Sequence, residues 1–161
     1  MLIGILSDSH DQIDHVDHAI EIFRLRGVEQ VFHAGDIGSP SIIKQFEGLK
    51  LGAVLGNNDG ERALMPVKVK QIGGEIGLDV LHADCPEGKI VVYHGTVPTF
   101  LNALIDCGAY RLVITGHTHK IVNELVGKTR VLNPGSIHGF NKGATFMIYD
   151  TALDEAEVLE I

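Results

Sequence analysis

The sequence predicts an α/β fold in which two β-sheets carry helices on their outer faces. The first half of the chain alternates apolar strand-like runs with apolar residues at helical spacing. The second half contains short strand-like runs separated by glycine and proline. With 161 residues and 45% hydrophobic content, the chain is long enough to bury one core, so we expect a single domain over residues 1–161.

The first half is expected to follow the order strand, helix, strand, helix, strand. The predicted elements are a strand over 2–7, a helix over 12–26, a strand over 30–33, a helix that begins at Ser39-Pro40 and a strand over 51–55. In the second helix, we expect the Ser39 hydroxyl to cap the first turn and Pro40 to occupy the first helical position. The three strands are expected to be parallel and to share one sheet.

The pattern changes after Pro66 to short runs that are typical of hairpin strands. Turns are expected around Gly73-Gly74, Gly77 and Pro86-Glu87-Gly88. The later predicted elements are a helix near 98–107 and strands near 111–115, 120–126, 129–132, 144–149 and 156–160. We expect these later strands to be antiparallel and to lie mainly in the second sheet.

Composition narrows the classes of function. The formal net charge of -8 argues against a basic surface for long nucleic acids, whereas small anionic substrates, including short or cyclic nucleotides, are compatible with it. Cys85 and Cys107 are far apart, which favours reduced thiols. The chain has neither a basic leader nor a run of about 18 apolar residues, so we expect a cytoplasmic protein with no membrane partner. A homo-oligomer is compatible with the sequence.

Seven side chains that can bind metal ions lie in five short segments, each directly after a predicted strand. These side chains are Asp8, His10, Asp36, Asn57, His94, His117 and His119. Strands of an open α/β sheet present ligands beyond their carboxyl ends, so we expect the seven to converge on one rim. Nitrogen and oxygen ligands without thiolates suit Zn, Mn, Fe, Ni or Co. Seven protein ligands exceed what one open catalytic ion uses, which favours two ions.

Two adjacent divalent ions suit the hydrolysis of phosphate esters. One carboxylate can bridge the ions, and a hydroxide between them becomes a nucleophile at neutral pH. Two divalent ions together with the carboxylates of Asp8 and Asp36 and one hydroxide leave a net positive charge to meet a phosphate. Asn57 is neutral, which helps to keep the site cationic. Phosphoryl transfer needs this because negative charge on the equatorial oxygens and the leaving group must be stabilised.

Each polar segment also has an ordinary structural explanation. Asp8 alone would suit a cap for a helix that begins near Gln12, and the segments at Asp36 and Asn57 are common turn sequences. Other histidines are expected to be structural: His15 and His18 on a solvated helix face, and His82 at the surface. His33 has two open interpretations, which are support of the Asp36 carboxylate and simple core packing.

The ordered set of motifs resembles a known family. Asp8-Ser9-His10, Gly35-Asp36, Gly56-Asn57-Asn58-Asp59, His94-Gly95, Gly116-His117-Thr118-His119 and Asn133-Pro134-Gly135-Ser136 are similar to the motifs of the calcineurin-like metallophosphoesterases. The small size most resembles the short prokaryotic phosphodiesterases of the YfcE type. The resemblance implies an αββα sandwich of two mixed sheets, phosphodiesterase or phosphatase activity, and two divalent ions, with Mn favoured over Ni, Zn, Fe or Co.

The resemblance also implies which residue binds which ion. The first ion would be bound by Asp8, His10, Asp36 and His119, and the second by Asp36, Asn57, His94 and His117. Asp36 would then bridge the two ions. The implied substrate is a small phosphodiester or phosphate ester, which Asn58, Arg62 and Thr96 are expected to contact.

Two positions depart from the family pattern. Many members carry a histidine at the position of Asn58, where it is thought to protonate the leaving group, and an amide cannot act as a general acid. We therefore expect slow turnover of substrates with poor leaving groups unless His138 or a metal-bound water supplies the proton. Thr96 replaces a histidine of many relatives, which affects substrate contacts more than the metal site. Arg62 suits a phosphate contact or an exposed ion pair.

The leading hypothesis is a two-metal phosphodiesterase in which a bridging hydroxide attacks phosphorus, with catalytic roles for Asp36, Asn57 and Asn58. The alternative is a non-catalytic, metal-binding interaction scaffold that resembles the retromer subunit of the same fold. All seven predicted ligands are present in this chain, which favours the enzyme.

Overall fold

The strands form two sheets in the computed structural model, which describes residues 1–140 and 142–161. The first sheet has the spatial order β11 (Glu155–Glu160), β10 (Thr145–Asp150), β1 (Leu2–Leu6), β2 (Gln30–His33), β3 (Leu51–Val54) and β4 (Glu75–Gly77). The second has the order β5 (Val80–Cys85), β6 (Gly88–Tyr93), β7 (Leu112–Ile114), β9 (Thr129–Pro134) and β8 (Ile121–Val126). The helices are α1 (Ile13–Leu25), a 3₁₀ helix (Pro40–Phe46), α2 (Met65–Gln71) and α3 (Pro98–Asp106).

The layers of the molecule follow from the alternation of side chains along each strand. In β2, Val31 packs with the helices on the outer face of the first sheet, whereas its neighbour Phe32 faces the second sheet. Ile90 and Leu112 meet that inner face from the second sheet. On the far side, partly buried residues of α3 cover the outer face of the second sheet. This is the predicted αββα sandwich of two mixed sheets.

The assignment of the later strands to sheets was partly wrong. β10 and β11 belong to the first sheet, where β10 pairs antiparallel with β1. Three strands of the second sheet, β6, β7 and β9, are parallel to one another. The physical reason lies in β1, a mostly buried strand that needs hydrogen-bond partners on both of its edges. β2 supplies one partner and β10 supplies the other.

Two local predictions were also wrong. The segment after Pro66 is the helix α2 rather than a hairpin strand, because a proline in the first turn favours a helix start and Met65 and Val69 bury one helical face. The hydroxyl of Ser39 makes no capping hydrogen bond. It donates instead to Oδ1 of Asp11 at 2.7 Å, and the segment forms a 3₁₀ helix. None of the helices in the described part of the chain is both long and apolar enough to cross a membrane.

A charge network around Asp154 joins the two sheets. Its carboxylate accepts hydrogen bonds from Arg130 Nε (2.9 Å) and from the hydroxyl of Tyr149 (2.7 Å), and it lies 3.1 Å from Arg111 Nη2. Tyr149 belongs to the first sheet, whereas Arg130 belongs to the second. Hydrogen bonds from Arg130, and then from Tyr149 and Arg111, hold the pKa of Asp154 well below its usual range.

Replacement of Asp154 by asparagine is expected to lower the free energy of unfolding by about 1–3 kcal/mol at pH 7, as for the loss of charge-assisted hydrogen bonds. Asparagine tolerates the left-handed backbone at this position (φ 58°). Because the folded state lowers the pKa of this carboxyl, its contribution is complete above about pH 4–5 and is lost as the pH falls.

Urea unfolding of both proteins at pH 7 and near pH 3 measures the effect. The difference between them should narrow at the lower pH. The exposed Asp79, in the turn between β4 and β5, provides the control Asp79→Asn, which should change little at either pH. A difference in the free energy of unfolding that grows as the pH falls would contradict the role of the ionised Asp154.

Candidate metal centre

The five polar segments lie together beyond the carboxyl ends of β1, β2, β3, β6 and β7, which we call the carboxyl-end rim. Five of the seven predicted ligands adopt left-handed backbone, with φ between 42° and 66°: Asp8, His10, Asp36, His117 and His119. Residues other than glycine rarely adopt this conformation, and such strained positions concentrate at functional sites. The strand ends therefore turn sharply, and the turns bring the ligands together.

Two carboxylates occupy the centre of the rim, and both are almost fully buried: Asp8 is 0% exposed and Asp36 is 1% exposed. Asp8 accepts hydrogen bonds from the Ser7 hydroxyl and from the backbone N–H of His117 (3.1 Å). Burial is the main influence on its pKa and raises it, although Ser7 and the nearby histidines act in the opposite direction.

Asp36 lies between two groups of ligands. The backbone N–H of Asn58 donates to Oδ1 at 2.8 Å, and the Asn58 amide donates to Oδ2 at 2.7 Å. His94 Nε2 is 3.4 Å from Oδ1, and His10 Nε2 is 3.6 Å from Oδ2. Burial alone would raise the pKa of Asp36, but hydrogen bonds from His94 and Asn58 outweigh burial and hold the pKa below its usual range. The carboxylate is therefore ionised at neutral pH.

The ligand atoms form two close groups. Asp8, His10 and His119 have ligand atoms within 4.8 Å of one another, as do Asp8, Asp36 and His94. Asn57 extends the second group, since its Oδ1 lies 3.2 Å from His94 Nε2.

The ring of His117 completes the second group, with its centroid 5.1 Å from that of His94. The structure thus brings together all seven predicted residues. It also places Asp8 beside the second group, to which the predicted ligand sets did not assign it.

The chemistry of these donors fits bound cations. His10 Nε2 is buried and has no hydrogen-bond partner within the described residues, and a buried polar atom without a partner is destabilising. It faces the ionised Asp36 at 3.6 Å, where a divalent ion would satisfy both groups. His94 is oriented for the same purpose, because its Nδ1 lies 2.7 Å from the Ala34 carbonyl and its Nε2 faces the centre.

A clamp around Gly56 fixes the position of Asn57. The buried Asp59 accepts hydrogen bonds from Gly56 N–H at 2.6 Å and from Gly38 N–H at 2.8 Å, which ties the loops after β3 and β2 together. Arg62 Nη1 donates to the Gly56 carbonyl at 2.7 Å. Only a weak signal in the sequence indicated this role for Asp59, namely an acid two residues after Asn57 in a tight turn. A contact between Arg62 and phosphate stays a prediction, as does one for the exposed Thr96.

The loop 133–136 supports the rim from the second sheet. Asn133 Nδ2 donates to the carbonyl of Gly116 at 2.8 Å, just before His117. Ser136 Oγ donates to the backbone carbonyl of Asp8 at 3.0 Å. Both bonds hold the backbone that carries predicted ligands, and the sequence placed this loop near the site only by resemblance.

The predictions for the histidines outside the ligand set were confirmed in part. His33 is buried and bonds to Ser9 Oγ (2.9 Å) and Gly35 N–H (3.2 Å) rather than to the Asp36 carboxylate. Burial lowers the pKa of His33 to about 3, so the imidazole is neutral. Its hydrogen bonds connect the loops after β1 and β2. The prediction that His15 lies on a solvated helix face was wrong. This residue is partly buried, and its Nδ1 lies 2.9 Å from the Ile137 carbonyl. His18 and His82 are exposed, as predicted.

Residues 1–154 match the family model of the calcineurin-like phosphoesterase superfamily domain. The chain belongs to this superfamily. A phosphodiesterase of Methanocaldococcus jannaschii, MJ0936, is 41% identical over 159 residues, which cover 96% of each chain. A probable metallophosphoesterase of Methanothermobacter thermautotrophicus is 30% identical over 141 residues, which cover 84% of this chain and 77% of the relative.

Solved structures share the fold of this chain. A structure of an archaeal phosphodiesterase has a TM-score of 0.95 with 37% identity and covers 100% of both chains. The Yfce phosphoesterase of E. coli has a TM-score of 0.69 with 18% identity and covers 100% of both chains. Vacuolar protein sorting 29 of Cryptosporidium parvum has a TM-score of 0.73 with 18% identity, covering 99% of this chain and 96% of that one. The last two share the fold alone.

Close approach of backbones at the rim makes Gly56 intolerant of a side chain. A Cβ added there would lie 2.1 Å from Asp36 Oδ1 and 2.4 Å from Asp36 N. We expect Gly56→Ala to lower the free energy of unfolding by about 1–3 kcal/mol, as for other overpacked sites. The measurement is urea unfolding of the metal-stripped protein.

The same loop offers a matched control in Gly60, where an added Cβ would lie 4.0 Å from the carbonyl oxygen of Gly38, its nearest contact in the described part of the chain outside the adjacent residues. Gly60→Ala should therefore unfold close to the unaltered protein. Equal stabilities for the two alanine variants would show that the loop after β3 is not packed against Asp36 as described.

Proposed function

We propose that this member of the calcineurin-like superfamily is a phosphodiesterase that uses two divalent metal ions. The observation that carries the proposal is the position of Asp36, an ionised and buried carboxylate with His10 on one oxygen and His94 on the other. A carboxylate in that position suits a bridge between two cations. The preference for a diester rests on the relative from Methanocaldococcus jannaschii, which is named a phosphodiesterase and is 41% identical.

Each oxygen of Asp36 faces one set of ligands. In the proposal, the first set is Asp8, His10, Asp36 and His119, and the second is Asp36, Asn57, His94 and His117. Two divalent ions held by these residues, with Mn favoured, would supply a Lewis acid for the phosphate oxygens and a water molecule of lowered pKa as the nucleophile. The buried Asp8 and Asp36 supply the negative charge that retains the ions.

The residues of the chain divide the remaining tasks. Asn58 holds both oxygens of Asp36 through its backbone and side chain, so we assign it a positioning role in addition to substrate contact. Arg62 and Thr96 are proposed to contact the substrate at the edge of the rim. A small phosphodiester suits this arrangement because the net charge of -8 disfavours long polyanions.

Removal of the central carboxylate charge tests the two-metal proposal. Metal-stripped protein would be assayed on bis(p-nitrophenyl) phosphate and p-nitrophenyl phosphate, with Mn, Ni, Zn or no metal added. We expect metal-dependent cleavage that favours the diester. Asp36→Asn should reduce it at least about 100-fold, the scale for loss of one electrostatic group at a catalytic site.

A second isosteric change provides the control for Asp36→Asn. Asp106→Asn alters an exposed residue at the end of α3 and should retain full activity. Near-normal hydrolysis by Asp36→Asn would refute the two-metal mechanism. Absence of cleavage with two ions demonstrably bound would shift the interpretation to the interaction scaffold.

The absence of a histidine at position 58 predicts a dependence on the leaving group. We expect Asn58→His to raise turnover of a phenyl diester relative to a p-nitrophenyl diester by up to about 100-fold, the lower end of what general acid catalysis contributes. The measurement is the ratio of kcat values for the two esters. Asn58→Gln keeps an amide, which cannot act as a general acid, and should not raise the ratio of phenyl to p-nitrophenyl turnover. An unchanged ratio in the histidine variant would place the proton source elsewhere.

A further inference from the structure

Three imidazoles of the carboxyl-end rim, those of His10, His94 and His119, differ in how they are oriented. Histidines that bind metals usually bond their second ring nitrogen to a carbonyl or carboxylate, which fixes the plane of the ring. His94 follows this pattern through the Ala34 carbonyl at 2.7 Å. His10 and His119 have no such bond from their second nitrogen within the described residues; His119 bonds only through Nε2, to Asp8. Another interaction must therefore fix these two rings.

The ring of Phe140 supplies that interaction. It stacks on His119 with centroids 4.7 Å apart and planes 6° apart. It also stands edge-on to His10, with centroids 5.1 Å apart and planes 76° apart. On His138 it stacks again, at 4.0 Å and 26°. Stacked and edge-to-face geometries at these distances are the favourable ones for aromatic rings.

The loop that carries Phe140 is tied to the same centre. His138 N–H donates to the Asp8 carbonyl at 3.2 Å, and Phe140 N–H donates to His138 Nδ1 at 3.2 Å. Phe140 has a left-handed backbone (φ 39°), which is unfavourable for a bulky residue and persists only where surrounding contacts impose it. Phe140 is nevertheless 39% exposed, so burial in the core does not account for its position, whereas its contacts with the imidazoles contribute to it.

A cavity of about 140 Å³ borders the same stack and is lined by both His119 and Phe140. Open space, rather than packed protein, therefore adjoins this side of the stack. Without the phenyl ring, the imidazole of His119 would have room to turn away from Asp8.

We propose that Phe140 is a positioning residue that orients His10 and His119 for one of the two metal ions. The inference rests on the proposed two-metal function. The proposal distinguishes His10 and His119, which the ring of Phe140 contacts, from His94, which a hydrogen bond to the Ala34 carbonyl orients. Loss of the phenyl ring should therefore weaken the binding of one ion and leave the binding of the other unchanged.

Calorimetric titration of the metal-stripped, full-length protein with Co²⁺ tests this, with the visible absorption of the bound ion as a second readout. The unaltered protein should bind two ions. Phe140→Leu should lower the affinity for one of the two ions by about 10–100-fold, the range for loss of a group that orients a metal ligand. Phe140→Tyr keeps both ring faces and should restore the affinity.

The matched control is Phe100→Leu, because Phe100 is 42% exposed and packs edge-on against Tyr93 rather than against a predicted ligand. It should leave both affinities unchanged, and the thermal unfolding of the two metal-free leucine variants should be alike. Two unchanged affinities in Phe140→Leu, an equal loss at both ions, or failure of Phe140→Tyr to restore binding would overturn the role of Phe140. Fewer than two Co²⁺ ions on the unaltered protein would instead contradict the proposed two-metal function.

Discussion

Two carboxylates, Asp8 and Asp36, are buried at the rim where five strands end, and the rest of the site is arranged around them. A buried charge is strongly unfavourable unless nearby groups compensate it. Here the compensation comes from donors in several loops, including the backbone N–H groups of Asn58 and His117. The loops must therefore keep their relative positions. This requirement accounts for the strained turns, the glycines without room for a Cβ, and the clamp at Asp59.

The site crosses the interface between the two sheets. The first sheet contributes Asp8, His10, Asp36 and Asn57, and the second contributes His94, His117 and His119. Ions bound by both sets would link the sheets at this end, and such binding would add to the stability of the folded state. At the opposite end, where β10 ends and β9 begins, the ion pairs and hydrogen bonds of Asp154 form a second link between the sheets.

The two halves of the rim differ in how they are held. His94 lies in the buried layer and is fixed by a backbone carbonyl. His10 and His119 lie nearer the surface, where the aromatic stack of the 138–140 loop covers them. A surface loop varies in sequence more easily than a buried strand. Changes in the 138–140 loop would therefore affect metal binding by His10 and His119 more than metal binding by His94.

The sequence by itself determined the fold class, most of the strands and helices, and the seven candidate ligands. It could do so because strand periodicity is a local property, and because polar residues directly after apolar strands mark the carboxyl ends where ligands collect. The placement of β10 and β11 was not predictable in this way, since the demand of β1 for a second partner arises only when the sheet assembles. Tertiary structure alone also decided that Asn58 bonds to Asp36, that Asp59 joins two loops, and that Phe140 stacks on His119. In each of the three examples, the contact joins residues of different loops that lie 21 or 22 positions apart in the chain. Their geometry depends on the packing of whole sheets, which no local pattern of residues records.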